Sequence, residues 1–208
     1  MVIQTVRARR IGRFIFTALF VFLAVVPAAP GQVQDRNVRL PQRVLIIRHA
    51  EKPEQDETSI HLSPEGRKHA NELYRLFKES EDRPSPFPTP VFIFAAGTSK
   101  HSNRSVETVT PLAQRLKRNI NQEYRDEDYE KLAHEILTNR KYAGKTILVS
   151  WHHGTIPELA NRLKATDAPK KWKDSVFDRV WQIDYDKEGQ ATFQDLPQQL
   201  LEPQPTGK

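Results

Sequence analysis

The chain has no cysteine among its 208 residues. That excludes disulfide staples, thiolate nucleophiles and a lipid-bearing N-terminal cysteine. It also lacks an apolar run of spanning length. The longest, Phe14 to Val26, falls short of the ~20 residues that a membrane helix needs. Arg7, Arg9, Arg10 and Arg13 precede that run, and Pro27-Ala28-Ala29-Pro30-Gly31 follows it. A positive segment, a short apolar segment and small residues in that order predict a signal peptide over residues 1–31. The expectation is export, periplasmic or fully secreted, after cleavage; the alternative is an N-terminal membrane anchor. A large excess of basic charge is missing too. The formal charge is +6, but the segment 1–31 holds four arginines and no acid, leaving 28 basic and 26 acidic residues, a net +2. Nucleic-acid binders need a basic patch, and the bulk charge offers no argument for one. No internal repeat is visible.

What remains is about 177 residues, enough for one core without staples. Val44–Ile47, Val91–Ala96 and Gly144–Trp151 carry apolar or β-branched runs, the pattern of strands buried on both faces. Helical stretches alternate with them. Ser63-Pro64-Glu65 reads as an N-cap, a proline at the first helical position and an acid in the first turn. Ala70, Leu73, Leu76 and Phe77 continue it at helical spacing. Val106, Val109, Leu112, Ala113 and Leu116 form a second stripe over 105–118, within which Pro111 is expected to kink the helix or mark its true start. A third helix is expected over 129–137, capped by Asp126 or Asp128. A fourth opens at Pro157. Val180–Tyr185 and Ala191–Leu196 flank Asp186-Lys187-Glu188-Gly189, a hairpin signal. Strands alternating with helices predict a single three-layer α/β/α domain with a mainly parallel sheet. Its expected bounds are 43–196, after a linker over 32–42 and before a flexible tail rich in Pro and Gln over 197–208.

In open α/β sheets ligands bind outside the carboxyl ends of the strands. Here those ends carry chemistry. The first strand runs into Arg48-His49-Ala50-Glu51. The second is followed by Lys100, His101, Ser102 and Arg104. The third ends at Trp151-His152-His153-Gly154. Arginine grips tetrahedral oxyanions through paired N–H donors. Histidine attacks phosphorus or exchanges protons near neutral pH. Cations set beside histidines suit a phosphate better than a metal ion, so no metal site is expected.

The segment "LIIRHAEKP" resembles the signature of the histidine phosphatase superfamily, the phosphoglycerate-mutase-like proteins. Three further segments resemble that family in the same order: Leu62-Ser63-Pro64-Glu65-Gly66, Arg104-Ser105-Val106-Glu107-Thr108, and "ILVSWHHG". The resemblance spans roughly residues 43–165. It implies the phosphoglycerate-mutase-like fold and a phosphatase that uses no metal and no cofactor. His49 would be the nucleophile carrying a phosphohistidine. Arg48 and Arg104 would hold the phosphoryl oxygens, and His152 or His153 would complete the pocket. Spacing leaves that pair open. Adjacent strand residues point to opposite faces, so one of the two is expected to line the pocket, with a slight preference for His152.

Glu51, Lys100 and His101 are candidates for phosphate or substrate contacts. The proton donor is open among Glu51, Glu107, Glu123, Asp126, Glu127 and Asp128. The expected partner is a small phosphorylated substrate or a phosphoprotein, with no nucleic acid. Membrane contact is expected only through the N-terminal segment. Two other functions share the same residues: a phosphoglycerate-mutase-like phosphotransferase, and a non-catalytic phosphate-binding module. His61, His69 and His134 read as surface or internally satisfied histidines, and Trp151, Trp172 and Trp181 as core.

Overall fold

Strand β1 (Arg43–Arg48) is the axis of the molecule. Its residues 44–47 are almost wholly shielded from solvent, as an apolar run with no polar alternation requires. In the computed structural model, which describes Val2, residues 40–54, Asp56 and residues 58–201, this strand lies inside a six-stranded sheet. The expected signal peptide, most of the linker and the end of the tail lie outside the described residues.

The elements follow in the order β1, α1 (Pro64–Glu72), β2 (Phe92–Ala95), α2 (Arg104–Leu116), β3 (Ile120–Asn121), α3 (Tyr129–Thr138), β4 (Thr146–Trp151), α4 (Ile156–Arg162), β5 (Arg179–Tyr185) and β6 (Ala191–Pro197). The sheet order is β3-β2-β4-β1-β5-β6. Strands β1 to β4 pair in parallel, while β5 and β6 run antiparallel at one side. The sheet is thus mainly parallel and covered on both faces, as the alternation of elements predicts. β3 was not foreseen: two residues at a sheet edge are too short to show a period.

Alternation along β1 divides the core. Val44 and Ile46 face Ile147, Val149, Leu132, Ile136 and Leu159. Leu45 and Ile47 face Leu148, Leu73, Leu76, Val109 and Leu112. Helices α3 and α4 therefore cover one face, and α2 with the turn Leu73–Phe77 that follows α1 covers the other. All three tryptophans are buried.

Local signals hold at most helix ends. The Ser63 hydroxyl accepts from the Gly66 N–H at 2.9 Å, and Pro64 takes the first helical position. The regular helix stops at Glu72, and Leu73–Phe77 tightens into a 3₁₀ turn. Helix α2 starts at Arg104 and runs through Pro111, so the proline does not mark its beginning. It lies in the second half of the helix, where it leaves one carbonyl without its helical N–H. Lys117 then closes α2 in the left-handed region at φ 54°. The start of the expected tail is packed. Gln198 and Leu200 are buried, and Gln198 donates to the carbonyls of Phe177 and Arg179 at 3.1 and 3.0 Å. Polar composition does not reveal such pairing, because it depends on the loop that precedes β5.

The Leu62–Gly66 motif has a steric cause. A Cβ on Gly66 would lie 2.3 Å from the Glu51 carbonyl oxygen and 2.9 Å from its nitrogen. The Ser63 N–H donates to the same Glu51 carbonyl at 2.9 Å. Helix α1 thus rests directly on the backbone that follows His49, and only glycine permits the approach. Gly66→Ala should destabilise the protein by about 1–3 kcal/mol, the cost of forcing atoms into a packed site. Urea unfolding of the two proteins checks this; an unchanged midpoint would mean that the contact relaxes freely.

Candidate active site

The register of β1 on β4 places Arg48 opposite Trp151. The His49 N–H extends the ladder by donating to the Trp151 carbonyl at 3.0 Å. Both strands thus end at one level, and the next side chains meet. The rings of His49 and His152 pack edge to face with centroids 5.3 Å apart.

His49 is 2% exposed. Its Nδ1 lies 2.7 Å from the Ala50 carbonyl oxygen. A carbonyl only accepts, so Nδ1 carries the proton and Nε2 keeps its lone pair. Thr108 fixes that carbonyl's residue in turn: its hydroxyl accepts from the Ala50 N–H at 2.8 Å and donates to the Arg104 carbonyl at 2.7 Å. Burial holds the His49 pKa well below the ordinary imidazole value. The Ala50 hydrogen bond opposes this, and His152, Arg48 and Arg104 add to it. A neutral ring with a free lone pair on Nε2 is favoured.

Arg48 is buried against the Phe177 ring, with its guanidinium carbon 3.8 Å from the ring centroid. Its Nη1 donates to the carbonyls of Asp174 and Val176, the latter at 3.1 Å. Burial lowers its pKa to about 10, with Asp174 opposing, so it remains a cation at neutral pH. Arg104, at the start of α2, donates to the Ser59 carbonyl at 2.6 Å and to that of His101 at 3.5 Å. In both arginines Nε is buried and has no hydrogen-bond partner among the described residues. Such a donor is costly to leave unpaired and is suited to an arriving oxyanion.

β4 ends at Trp151, and the two histidines part in the segment beyond it. His152 lies beside His49, whereas His153 Nε2 lies 3.3 Å from Asp174 Oδ1 on the neighbouring loop. Burial lowers the His152 pKa; Asp126 pulls it up, and Arg104, His153 and Arg48 push it down. His152 and Arg104 open onto a cleft of about 550 Å³ that Lys100, His101, Asp126 and Glu127 also line. Lys100 and His101 are therefore at the rim. Glu51 is elsewhere: its carboxylate faces His69 Nδ1 at 3.0 and 3.1 Å, and it lines a separate cleft of about 690 Å³ with Ser63, Asp174 and Phe177.

The acids also sort by geometry. Glu107 accepts from the Leu62 N–H at 2.8 Å and from the Asn103 amide at 3.0 Å, and it pairs with His61 at 2.5 Å. Asp128 accepts from the Arg125 N–H at 3.1 Å and binds Lys131 at 2.6 Å. Glu123 is exposed and does not line the cleft. Asp126 and Glu127 do line it, and Asp126 accepts from the Thr155 hydroxyl in the turn after His152-His153. Sequence reasoning missed Phe177 and Thr155. Thr108 lay inside a recognised motif, but its hydrogen bond to Ala50 joins residues 58 positions apart.

No family model matches the chain, and no curated protein matches it. Solved structures do. A candidate alpha-ribazole-5'-P phosphatase from Escherichia coli K-12 superimposes with a TM-score of 0.52 at 13% identity, over 78% of this chain and 99% of that one. The phosphoglycerate mutase of Bacillus anthracis matches at 0.50 and 14% identity, over 77% and 95%. A protein described as mycobacterial hydrolase 1 matches at 0.50 and 13%, over 74% and 96%. At these identities the likeness is one of fold. Between β1 and β6 the chain has the phosphoglycerate-mutase-like fold.

Proposed function

We propose that the protein is a phosphatase that hydrolyses phosphomonoesters, or phosphohistidine, through a phosphohistidine on His49. The observation that carries this reading is the company kept by the buried imidazole. His49 is neutral, its tautomer is set by Ala50, and it sits among two arginines whose Nε donors are unpaired. Neither arginine forms an ion pair with a carboxylate among the described residues. By contrast, Arg43 is paired with Asp184 at 2.5 Å, Arg179 with Asp195 at 2.8 Å and Arg162 with Glu130 at 2.5 Å. The site arginines are held by carbonyls and an aromatic face, so their charge stays available to an anion.

The chemistry follows from these groups. Nε2 of His49 attacks phosphorus, a P–N bond forms, and the P–O bond to the leaving group breaks. The leaving oxygen takes a proton from a cleft acid, Asp126 or Glu127. Water then attacks phosphorus while giving a proton back to that carboxylate, the P–N bond breaks, and inorganic phosphate leaves with His49 and the acid restored. Arg48, Arg104 and His152 offset the charge on the phosphoryl oxygens, which is the main demand of phosphoryl transfer. Lys100 and His101 meet the substrate at the rim. His153 supports the loop at Asp174 rather than the phosphoryl group. The arrangement of residues 1–31 supports export. Among the described residues no helix is long and apolar enough to cross a membrane.

Three results test this reading. With an aryl phosphate and EDTA present, the wild type should turn over and accumulate acid-labile phosphate on protein, and His49→Ala should do neither. A folded wild type without either property would reduce the protein to a phosphate-binding module. His152→Ala should lower kcat by roughly 10²–10³-fold, as loss of one transition-state donor does; His153→Ala should cost less than about tenfold. The reverse order would exchange the two histidines. Because the His49 pKa is depressed, its neutral form persists as the pH falls. The acid limb of kcat/KM should therefore lie below the ordinary imidazole value near pH 6.5, and a limb at or above that value would contradict a buried neutral nucleophile.

A further inference from the structure

A second histidine is buried close to the site and has no part in that chemistry. His69 of α1 is 3% exposed. Its Nδ1 faces both Glu51 oxygens at 3.0 and 3.1 Å, and its Nε2 faces Gln198 Oε1 at 2.8 Å. The Gln198 amide cannot be turned round. Its nitrogen lies 3.1 Å from the Phe177 carbonyl and 3.0 Å from the Arg179 carbonyl, and both can only accept. The amide oxygen must therefore face His69, and His69 Nε2 must donate to it. With a carboxylate at Nδ1, the network holds one shared proton between His69 and Glu51 and leaves no donor unmatched.

The far side of this network is the seat of Arg48. Gln198 also donates its backbone N–H to the Asp178 carbonyl at 2.6 Å. Residues 177–179 are thus clasped from behind by one residue, through its side chain at 177 and 179 and its backbone at 178. The loop that leads into this segment presents the Val176 carbonyl to the Arg48 Nη1, and the segment itself presents the Phe177 ring to the guanidinium. The chain of contacts runs from Glu51, two residues after His49, through His69 and Gln198 to Phe177 and back to Arg48.

We propose that His69 and Gln198 are positioning residues, which act through the 174–179 loop to seat Arg48 beside His49. They touch no substrate. The reading of Arg48 as a phosphoryl contact rests on the function proposed above; the clasp on the loop does not. The charged groups facing His69 agree with a protonated ring. Burial lowers its pKa, but the Glu51 hydrogen bond and charge, the Gln198 bond and the nearby Asp178 outweigh that and raise it.

A double-mutant cycle with vanadate as the probe tests the proposal. Gln198→Ala should weaken vanadate binding and lower kcat/KM for an aryl phosphate by roughly 10- to 100-fold, the range a displaced group costs. In an Arg48→Ala background the same substitution should cost little further, because its effect passes through Arg48. Equal losses in both backgrounds would overturn the proposal. Hydrogen exchange supplies a readout that needs no activity: the amides of residues 174–179 should exchange faster in Gln198→Ala, and unchanged protection there would also overturn it. Wild type that binds no vanadate, with exchange nonetheless accelerated in the variant, would retain the clasp and remove the phosphatase reading. If Gln198→Ala does not fold, Gln198→Met keeps the side-chain length without the amide and is judged by the same measurements.

Discussion

The parallel pairing of β1 with β4 is the constraint on which the site depends. Its register sets Arg48 opposite Trp151, and the His49 N–H to Trp151 carbonyl bond carries that register one residue beyond the strand. Everything else attaches to this junction. A slip by one residue would turn each side chain to the other face of the sheet. The core prevents such a slip, because Val44 and Ile46 belong to one apolar layer and Leu45 and Ile47 to the other. The hydrophobic pattern of a strand thus fixes the position of a histidine that lies outside it.

The loops that follow the strands are held by motifs whose residues act in different ways. Gly66 lets α1 touch the Glu51 backbone. Glu107 ties α2 to the segment before α1 through the Leu62 N–H. Thr108 joins Ala50 to Arg104. In the stretch Arg104-Ser105-Val106-Glu107-Thr108 the arginine faces the cleft, while the acid and the threonine hold the geometry in which it does so. An arginine at a helix start is unfavourable for the helix dipole, and these two tethers supply what the position needs.

The fold was legible in the sequence because its signals are local and repeated: β-branched runs, helical stripes, Ser63-Pro64, and a turn before β6. The pocket was legible as far as strand ends could place it. Arg48, His49, Arg104 and His152 do converge, while His153, which spacing left open beside His152, turns to Asp174. Glu51, expected as a phosphate contact, has a partner of its own within the protein. Its closeness to His49 along the chain suggested the pocket, but the backbone turns at Ala50 and delivers the carboxylate to His69. Gln198 and Phe177 were illegible because their meaning lies in contacts across more than a hundred residues with His69 and Arg48. Neither has a periodicity or a neighbour that announces the partner.

The treatment of positive charge separates structural arginines from those of the site. Arg43 meets Asp184 through two nitrogens, at 2.5 and 2.9 Å, and its charge is spent on β5. Arg48 is as firmly held, yet its partners are two carbonyls and a ring face. Carbonyl dipoles orient a guanidinium without cancelling its charge, and burial then strengthens the field it exerts on a nearby anion. The same field resists a proton on His49. The arrangement thus does two things: it leaves guanidinium charge uncancelled by a carboxylate, and it adds to the burial that keeps His49 unprotonated. The Asp174 carboxylate could have neutralised Arg48 directly; instead its backbone carbonyl takes the guanidinium and its side chain faces His153. An arginine whose backbone contacts and whose charge point in different directions is poised to bind an anion that the protein itself does not supply.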